Sequence, residues 1–470
     1  MLAALLLCWP AVWNGYPLVF WDTNTYLGQA LLRYLGWDRP AFYSFFLLGL
    51  HWGVSLWPVV LAQALIVAHL LWLVLRALGR PGPLPLLLAA GGLCAATSLP
   101  FFAAQIMPDV FTGVVVLGLW LIGFRWDTLG RWERAYVLVL TTGAVAVHLS
   151  HPPLAAGLVL VGAFLLAVQA GLRYALRAAG RMASPLALAA LALVAVNLVG
   201  HGKASLAPFS SVFFAARLIQ DGPGLDHLRR ACPDAGYRIC GVLGRLDPSS
   251  TNAFLWDQSG PLWTELGGPK AWAPEAAAVS AATLREQPGP ALESMLRNTL
   301  RQMAMADTGD GTEPVAAEQS LDAMVRRFFP EEFEAFRRSR QQTGRLLSDT
   351  SALAPLHRVL TWGGLVALVV AAATRWRHTP ALALCLFVLA AAIGNALVTG
   401  GLSGPYHRYQ ARIAWLFLLA PAAVFWSVPA DSGGAARATR HRPKRPEVEQ
   451  AQDAELAASS PLPAPRFNGT

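Results

Sequence analysis

The chain has 470 residues, of which 55% are hydrophobic and only 14% are charged, and its formal net charge is +9. Repeated apolar runs of about twenty residues exclude an ordinary soluble protein and indicate a polytopic helical membrane protein. Most of the positive excess falls in short loops between these runs, where it sets membrane topology, so nucleic-acid binding is not needed to explain it.

Ten apolar runs predict ten membrane helices, seven before a long polar region and three after it. The first run lacks the basic start and small-residue cleavage site of a signal peptide, which favours a membrane helix. Ten arginines, including Arg375 and Arg377, fall in alternate turns and place these turns and both chain ends in the cytoplasm. A shorter run, 42–52, is predicted to lie in the membrane interface. The predicted spans are residues 2–20, 57–77, 84–104, 110–124, 135–148, 154–170, 183–200, 357–373, 381–398 and 413–428.

The polar region 201–355 is too long for a linker and predicts an external domain. Cys232 and Cys240 can form a disulfide there, worth about 2–3 kcal/mol, if the domain faces an oxidising compartment. Residues 209–270 are expected to be irregular. The predicted helices of the domain are 273–286, 291–305, 315–329 and 331–342, the second with an apolar face made of Leu292, Met295, Leu296, Thr299, Leu300 and Met303.

The last residues, 430–470, are rich in Ala, Pro and Arg and predict a disordered cytoplasmic tail. The basic residues between 437 and 445 are expected near anionic lipid head groups. The chain is therefore predicted to comprise a transmembrane module (1–200, with a first external loop at 21–56), the external domain (201–355), the C-terminal transmembrane helices (356–429) and the tail (430–470).

The stretch 19–43 combines charges with aromatic rings beside a predicted membrane boundary, where such residues are costly and commonly functional. Asp22 can act there as a general base, because partial burial strengthens the pull of a carboxylate on a proton. Alternatively, Asp22 caps the helix that follows it. Asp38 is expected to pair with Arg39 or Arg33.

Asp109 follows a proline at the start of a predicted span, where it is either a second acid of the site or a partner of the helix dipole. A glycine-rich external turn before the last span places Arg408 and Arg412 at i and i+4, on one helical face. Such arginines can clamp a lipid phosphate through paired hydrogen bonds. The alternative is that they extend to the interface beside Tyr406 and Tyr409.

His148 and His151 lie one helical turn apart, as a pair of metal ligands or as interfacial residues. The lack of further ligands nearby in the sequence favours the second interpretation. The chain contains no P-loop, GxGxxG, HExxH or GxSxG motif, so a soluble nucleotide donor has no motif to bind it. The sequence therefore predicts no cofactor, and no ligand cluster supports a divalent metal.

Taken together, these motifs resemble those of the GT-C superfamily of integral-membrane glycosyltransferases, of the protein-mannosyltransferase and aminoarabinose-transferase type. Members place an acid after the first span, then an Arg-Pro followed by an aromatic, a Pro-Asp at the fourth span and an Arg-Tyr before the last span. The similarity extends over about residues 1–200 and 356–428. The corresponding segments here are Asp22 in WDTNTYL, Arg39-Pro40-Ala-Phe-Tyr43, Pro108-Asp109 and Arg408-Tyr409-Gln410.

The resemblance implies an all-α GT-C fold in a bacterial inner membrane, with the large loop periplasmic. It also implies transfer of a sugar, with inversion, from a polyprenyl-phosphate donor to a periplasmic lipid, glycan or protein acceptor. The implied catalytic residues are Asp22 and Asp109, the donor-phosphate residues are Arg39, Arg408, Tyr409 and Arg412, and the acceptor or sugar contacts are Tyr26, Tyr43 and His151.

The chain also departs from the family pattern. Thr23 stands where many members have a second acid, and Ala41 replaces the usual second proline of the Arg-Pro-Pro motif. These differences leave open a non-catalytic relative that serves envelope glycan assembly. A transporter of lipid-linked sugars is a further alternative, but such a protein needs a polar path through the bilayer. The middles of the predicted spans hold few polar residues beyond Gln63, Asn197 and Asn395.

Overall fold

The computed structural model describes residues 1–246, 250–315, 320–374 and 379–426, together with Gly469. Over these residues the chain is helical, and its only β-type pairing is one isolated bridge. The chain divides into two units, Met1–Ser427 and Val428–Thr470. The predicted disordered tail and the predicted turn with Arg375 and Arg377 lie outside the described residues.

Five helices in the described part of the chain are long and apolar enough to cross a membrane. Each contains one of the ten predicted spans, whereas the other predicted spans are shorter or interrupted helices. The chain is thus a helical protein with five candidate membrane spans, and ten spans stays a prediction. The five are Trp57–Ala77, His151–Ala170, Leu172–His201, Arg345–Thr374 and Ala381–Gly401.

The outward faces of these helices are apolar. On His151–Ala170, the side chains of Leu160, Phe164 and Val168 follow at intervals of four residues and are 72%, 67% and 72% exposed. An apolar face of this extent is unfavourable in water but matches the acyl chains of a bilayer. The exposed surface therefore supports embedding in a membrane.

The first predicted span, 2–20, is a pair of short helices, Leu2–Leu7 and Trp9–Asn14. Pro10 has no amide hydrogen to donate, which interrupts the helix between them. Gly15 has a φ of 82° and ends the second helix in the left-handed conformation that glycine favours. Both helices together measure about 20 Å, too little to cross a bilayer.

The third predicted span, 84–104, is divided in the same way, into Pro83–Ala96 and Leu99–Ala103. Thr97 between them has an extended backbone. Pro100 cannot donate to the preceding turn, so the second helix starts afresh. Both interruptions leave backbone groups that need new partners.

The extended segments that follow the two broken runs pair with each other. The Leu18 amide donates to the Ala104 carbonyl (3.0 Å), and the Ile106 amide donates to the Leu18 carbonyl (2.8 Å). The Gln63 side chain, from the middle of a long span, donates to the Gln105 carbonyl (2.8 Å). Non-helical backbone is tolerated at this depth because protein groups satisfy it.

The seventh predicted span, 183–200, is only the second half of one 30-residue helix, Leu172–His201. The predicted cytoplasmic turn with Arg173, Arg177 and Arg181 forms the first part of that helix. Arginine is a good helix former, so basic residues mark a change of environment along the helix without ending it.

Residues 201–355, called the external region after their predicted location, contain helices within 209–270, so the prediction of an irregular segment there is wrong. Helices Ser210–Asp221 and Pro223–Ala231 pack against Gly268–Glu286, and the buried Trp272 lies in their shared core. Helices this short are stabilised by tertiary burial more than by local propensity, so their sequence pattern is weak.

The four predicted helices of the external region are present, as Gly268–Glu286, Pro288–Met303, Ser320–Phe328 and Phe333–Arg338, and positions 316–319 of the third prediction lie outside the described residues. The remaining helices are Thr23–Leu32, Phe42–His51, Phe111–Phe124, Arg131–Ala146, Thr251–Trp256, Pro261–Thr264, Thr379–Ala396, His407–Ala414 and Leu416–Trp426, with 3₁₀ turns at Pro108–Val110, Trp126–Thr128, Arg238–Arg245 and Pro330–Glu332 and a π turn at Leu397–Gly401.

A disulfide joins Cys232 and Cys240, and Cys8, Cys94 and Cys385 are buried free thiols. Alkylation of the denatured protein without reductant should therefore modify three cysteines, and after reduction it should modify all five. Intact-mass spectrometry counts the modified thiols. Modification of five thiols without reductant would show that the bond does not form.

Candidate functional site

Asp109 is fully buried at the 3₁₀ turn Pro108–Val110, which leads into the helix Phe111–Phe124. Pro108 suits this first turn, because the amide hydrogen it lacks has no partner there in any case. A buried carboxylate is stable only when charged or hydrogen-bonded partners replace water. Its partners come from the other end of the chain.

Arg408 and Arg412 lie on the helix His407–Ala414, one turn apart and on one face as predicted. Arg408 Nη2 donates to Asp109 Oδ2 at 2.7 Å, and Arg412 Nη1 donates to Asp109 Oδ1 at 3.1 Å. The side chains of Asp109 and Arg412 are completely buried, and that of Arg408 is 6% exposed. Two guanidinium groups therefore share one buried carboxylate.

Gly113 permits the close approach of the helix Phe111–Phe124 to the helix that carries both arginines. At Gly113, one turn beyond Asp109, a Cβ would lie 2.4 Å from Trp415 Cζ2. Such a contact is too short for any side chain, so only glycine fits between these helices. Trp415 follows directly after the helix that carries both arginines.

The second terminal nitrogen of Arg412 donates to Ser150 Oγ and to Asn395 Oδ1, both at 2.9 Å. Asn395 also donates to the Tyr409 carbonyl at 2.6 Å, so it fixes both the backbone and the guanidinium. Arg412 Nε is buried and has no hydrogen-bond partner among the described residues.

Arg408 is held from two further sides. Its guanidinium lies over the ring of Phe20, 3.6 Å from the centroid, which is a cation–π contact. Its backbone amide donates to Asp310 Oδ2 at 2.8 Å, so an acid from the external region caps the arginine-bearing helix.

Asp22 forms an ion pair with Arg39, with 2.6 Å between Oδ2 and Nη2. Asp22 occupies the N-cap position of Thr23–Leu32, but its side chain makes no capping bond, so the alternative that it caps this helix is not observed. Asp38 lies 3.9 Å from Arg39, and Arg33 is exposed at the surface. Arg39 therefore contacts Asp22 more closely than Asp38.

The two ion-pair clusters are neighbours. Phe20, only two residues before Asp22, lies against the guanidinium of Arg408. The structure thus brings together an acid that follows the first apolar run and arginines that precede the last one. We call the set Asp22, Arg39, Asp109, Arg408 and Arg412 the ionic cluster.

The three predicted acceptor contacts differ in what their polar atoms do. The Tyr26 hydroxyl is buried and has no hydrogen-bond partner among the described residues. The Tyr43 hydroxyl donates to Gln63 Oε1 at 2.7 Å. The two ring nitrogens of His151 are bonded to the Thr112 hydroxyl (2.9 Å) and to the Ala144 carbonyl (2.6 Å). Of the three, Tyr26 alone has an unbonded polar atom beside the ionic cluster, whereas His151 is part of the packing around it.

His148 is bonded within its own turn, to Ser150 Oγ at 2.8 Å. Among the described residues, no three His, Cys, Asp or Glu side chains are grouped to hold a metal ion. The ionic cluster is therefore built from arginine and aspartate, a combination suited to anions and proton transfer.

Sequence reasoning missed several members of the site. Phe20 under Arg408 and Ser150 beside Arg412 carry no distinctive signal. Asn395 did carry one, because an amide within an apolar run needs a buried partner. Trp37 is one of the aromatic rings of the stretch 19–43, and the sequence indicates no partner for it. Its ring stacks on Phe213 of the external region, with 5.2 Å between centroids.

A search of protein-family models, curated proteins and solved structures gives no significant match to this chain. The fold and the site alone therefore define its class, a helical protein with candidate membrane spans and a buried Asp–Arg cluster.

Replacing the shared carboxylate tests the importance of the cluster for stability. Asp109→Asn leaves two buried guanidinium groups without a counter-charge and is expected to cost about 3–5 kcal/mol. Glu133→Gln breaks a partly exposed pair with Arg76 and should cost about 1 kcal/mol or less. Thermal unfolding of the purified proteins measures both. Equal losses in the two variants would contradict this role.

The pH dependence of stability tests the burial of Asp38. Burial raises the pKa of Asp38, although Arg39 opposes the shift. The protonated form is then favoured in the folded state, so stability is present at low pH and is lost as the pH rises through the folded pKa. Relative to the unsubstituted protein, Asp38→Asn should gain stability as the pH rises from about 3 to 7.

Glu133→Gln supplies a control with the opposite sign. The hydrogen bond from Arg76 lowers the pKa of Glu133, so its contribution is lost as the pH falls. That variant should therefore lose stability, relative to the unsubstituted protein, over the same rise in pH. Melting temperatures of all three proteins measure the trends, and parallel trends would refute the burial of Asp38.

Proposed function

We propose that this protein is an inverting glycosyltransferase of GT-C type that moves a sugar from a polyprenyl-phosphate donor to an acceptor on the outer side of the bacterial inner membrane. The ionic cluster is its active site in this proposal. Asp22 is the base, Asp109 orders the arginines, and Arg408 and Arg412 receive the departing phosphate.

The observation that carries the proposal is the charge balance at Asp109. Among the described residues, Asp109 is the one carboxylate within 4 Å of the Arg408 and Arg412 guanidinium groups, and Asp310 contacts Arg408 through its backbone amide. Away from water, an excess positive charge is costly and attracts an anion strongly. A phosphate group supplies the missing charge and accepts hydrogen bonds from arginine in paired geometry.

Asp22 suits the role of base because it is accessible and held. Its side chain is 22% exposed, and the ion pair with Arg39 fixes its orientation. In the proposed step, Asp22 takes the proton of an acceptor hydroxyl while the hydroxyl oxygen bonds to the sugar C1. The bond from C1 to the phosphate oxygen breaks, and polyprenyl phosphate leaves with the electron pair beside the arginines.

The geometry changes the proposed role of Arg39. The GT-C resemblance implies that Arg39 binds the donor phosphate, but its 2.6 Å contact is to Asp22. Arg39 is therefore a positioning residue for the base in this proposal. Tyr26, whose buried hydroxyl has no partner among the described residues, is the better candidate for a sugar contact.

The transporter alternative receives little support from the polar side chains within the spans. Gln63 bonds to the Gln105 carbonyl, Asn395 bonds to Arg412, and Asn197 bonds to the Ser205 carbonyl at the end of its helix. These residues satisfy local groups and do not form a continuous polar path. A measurement of catalytic turnover distinguishes the proposed enzyme from the non-catalytic alternative.

Incubation of the purified protein with labelled polyprenyl-phosphate sugar tests the proposal. Asp22→Asn should lower transfer or hydrolysis by about 10²–10⁴-fold, because the proton acceptor is removed. The neighbouring variant Asp38→Asn should retain most of the activity. Full activity of Asp22→Asn would refute the assignment of the base.

Donor binding separates the remaining alternatives. Arg408→Gln should weaken binding of the labelled donor, and Asp22→Asn should leave it largely unchanged. Binding without turnover in the unsubstituted protein would identify the non-catalytic relative.

A further inference from the structure

The helix Pro288–Met303 of the external region carries three different faces. Along its length, one face is polar or small and buried, one is apolar, and one is charged. The buried face is made of Ala291, Ser294, Asn298 and Gln302, the apolar face of Leu292, Leu296 and Leu300, and the charged face of Glu293, Arg297 and Arg301.

The buried face lies tightly against the end of a membrane span. At Gly400, in the π turn Leu397–Gly401, a Cβ would lie 2.4 Å from Gln302 Cβ and 2.8 Å from the Asn298 carbonyl oxygen. At Gly401, a Cβ would lie 2.9 Å from Thr299 Oγ1. Two consecutive glycines thus allow direct contact between the helix and the turn, which fixes the helix at the end of Ala381–Gly401.

The apolar face is open. Leu292, Leu296 and Leu300 follow one another at intervals of four residues and are 66%, 56% and 59% exposed. The spacing of four residues and the degree of exposure match those of Leu160, Phe164 and Val168 on the membrane span described above. In a soluble domain such a stripe would face the core.

The surface next to this stripe is also apolar. Ile393 and Leu397, one turn apart on the span that carries the π turn, are 53% and 45% exposed. The outward face of the span therefore runs up to the turn on which the helix is packed. A bilayer around the span reaches the helix at the same level.

We propose that Pro288–Met303 is an interfacial helix, whose three leucines insert among lipid acyl chains of the leaflet on the side of the external region. The neighbouring arginines, Arg297 and Arg301, then lie at the level of the lipid phosphates. An apolar face beside a charged face, on a helix fixed at the end of a span, suits a membrane surface better than a protein partner.

This lipid contact is connected to the ionic cluster. Gln302 Nε2 donates to the Tyr406 carbonyl at 2.8 Å, and the Tyr406 amide donates to Gln302 Oε1 at 2.9 Å. Tyr406 immediately precedes the helix that carries Arg408 and Arg412. The interfacial helix thus fixes the start of the arginine-bearing helix relative to the membrane surface. The inference is independent of the proposed glycosyltransferase activity.

Spin labelling of the full chain in nanodiscs of phosphatidylethanolamine and phosphatidylglycerol tests the inference. One nitroxide is placed by Leu296→Cys and another, as the matched control, by Arg297→Cys. The three free native thiols are buried and the other two cysteines are joined, so the introduced thiol is labelled selectively. Collisions with oxygen report acyl chains, and collisions with a water-soluble nickel complex report solvent.

The label at residue 296 should show an oxygen-to-nickel collision ratio at least threefold higher than the label at residue 297. Equal ratios at both positions would overturn the inference by placing the leucines in water. Protection of residue 296 from both reagents would overturn it by showing a protein partner on this face. The pair Leu300→Cys and Arg301→Cys repeats the comparison one turn along, so the result does not depend on the folding of a single variant.

Discussion

The sharing of Asp109 between Arg408 and Arg412 is the interaction on which the packing of His407–Ala414 against the start of Phe111–Phe124 depends. The two hydrogen bonds join residues that are separated by 299 and 303 positions in the sequence, and they lie where water is excluded. Buried charges on this scale are tolerated only when nearly every polar atom has a partner, and removing one partner is far more costly than the pair is favourable. This requirement accounts for the supporting bonds of Ser150 and Asn395, and for the glycine at 113 that lets the helices approach.

Two apolar runs that are not continuous helices end close to this ionic cluster. The proline-interrupted segments 2–20 and 84–104 each end in extended backbone, and the two strands of backbone pair through Leu18. Phe20, just beyond this pairing, reaches the guanidinium of Arg408. Because these helices are interrupted, side chains such as that of Phe20 lie near the ionic cluster. A continuous helix would place them elsewhere. Their backbone groups are stable there because other protein groups satisfy them.

The external region takes part in the site as well as covering it. Asp310 caps the arginine-bearing helix, Gln302 pairs with the residue before it, and Trp37 packs between the first external loop and the core of the region. The site is therefore assembled from the beginning, the middle and the end of the chain. A change in the position of Asp310 or Gln302 would act directly on the helix that carries Arg408 in this arrangement.

Residue types and spacings were enough to predict the helical class, the candidate span Trp57–Ala77, a disulfide between Cys232 and Cys240, and the shared helical face of Arg408 and Arg412. These features depend on local periodicity, hydrophobic length and short spacings, which residue types specify directly. The folded structure was needed to show that Asp109 pairs with both arginines, that Asp22 pairs with Arg39, and that much of the described part of 209–270 is helical. Those outcomes depend on contacts between distant segments. The partner of a buried charge is whichever group the fold brings close to it, and local sequence does not encode that proximity.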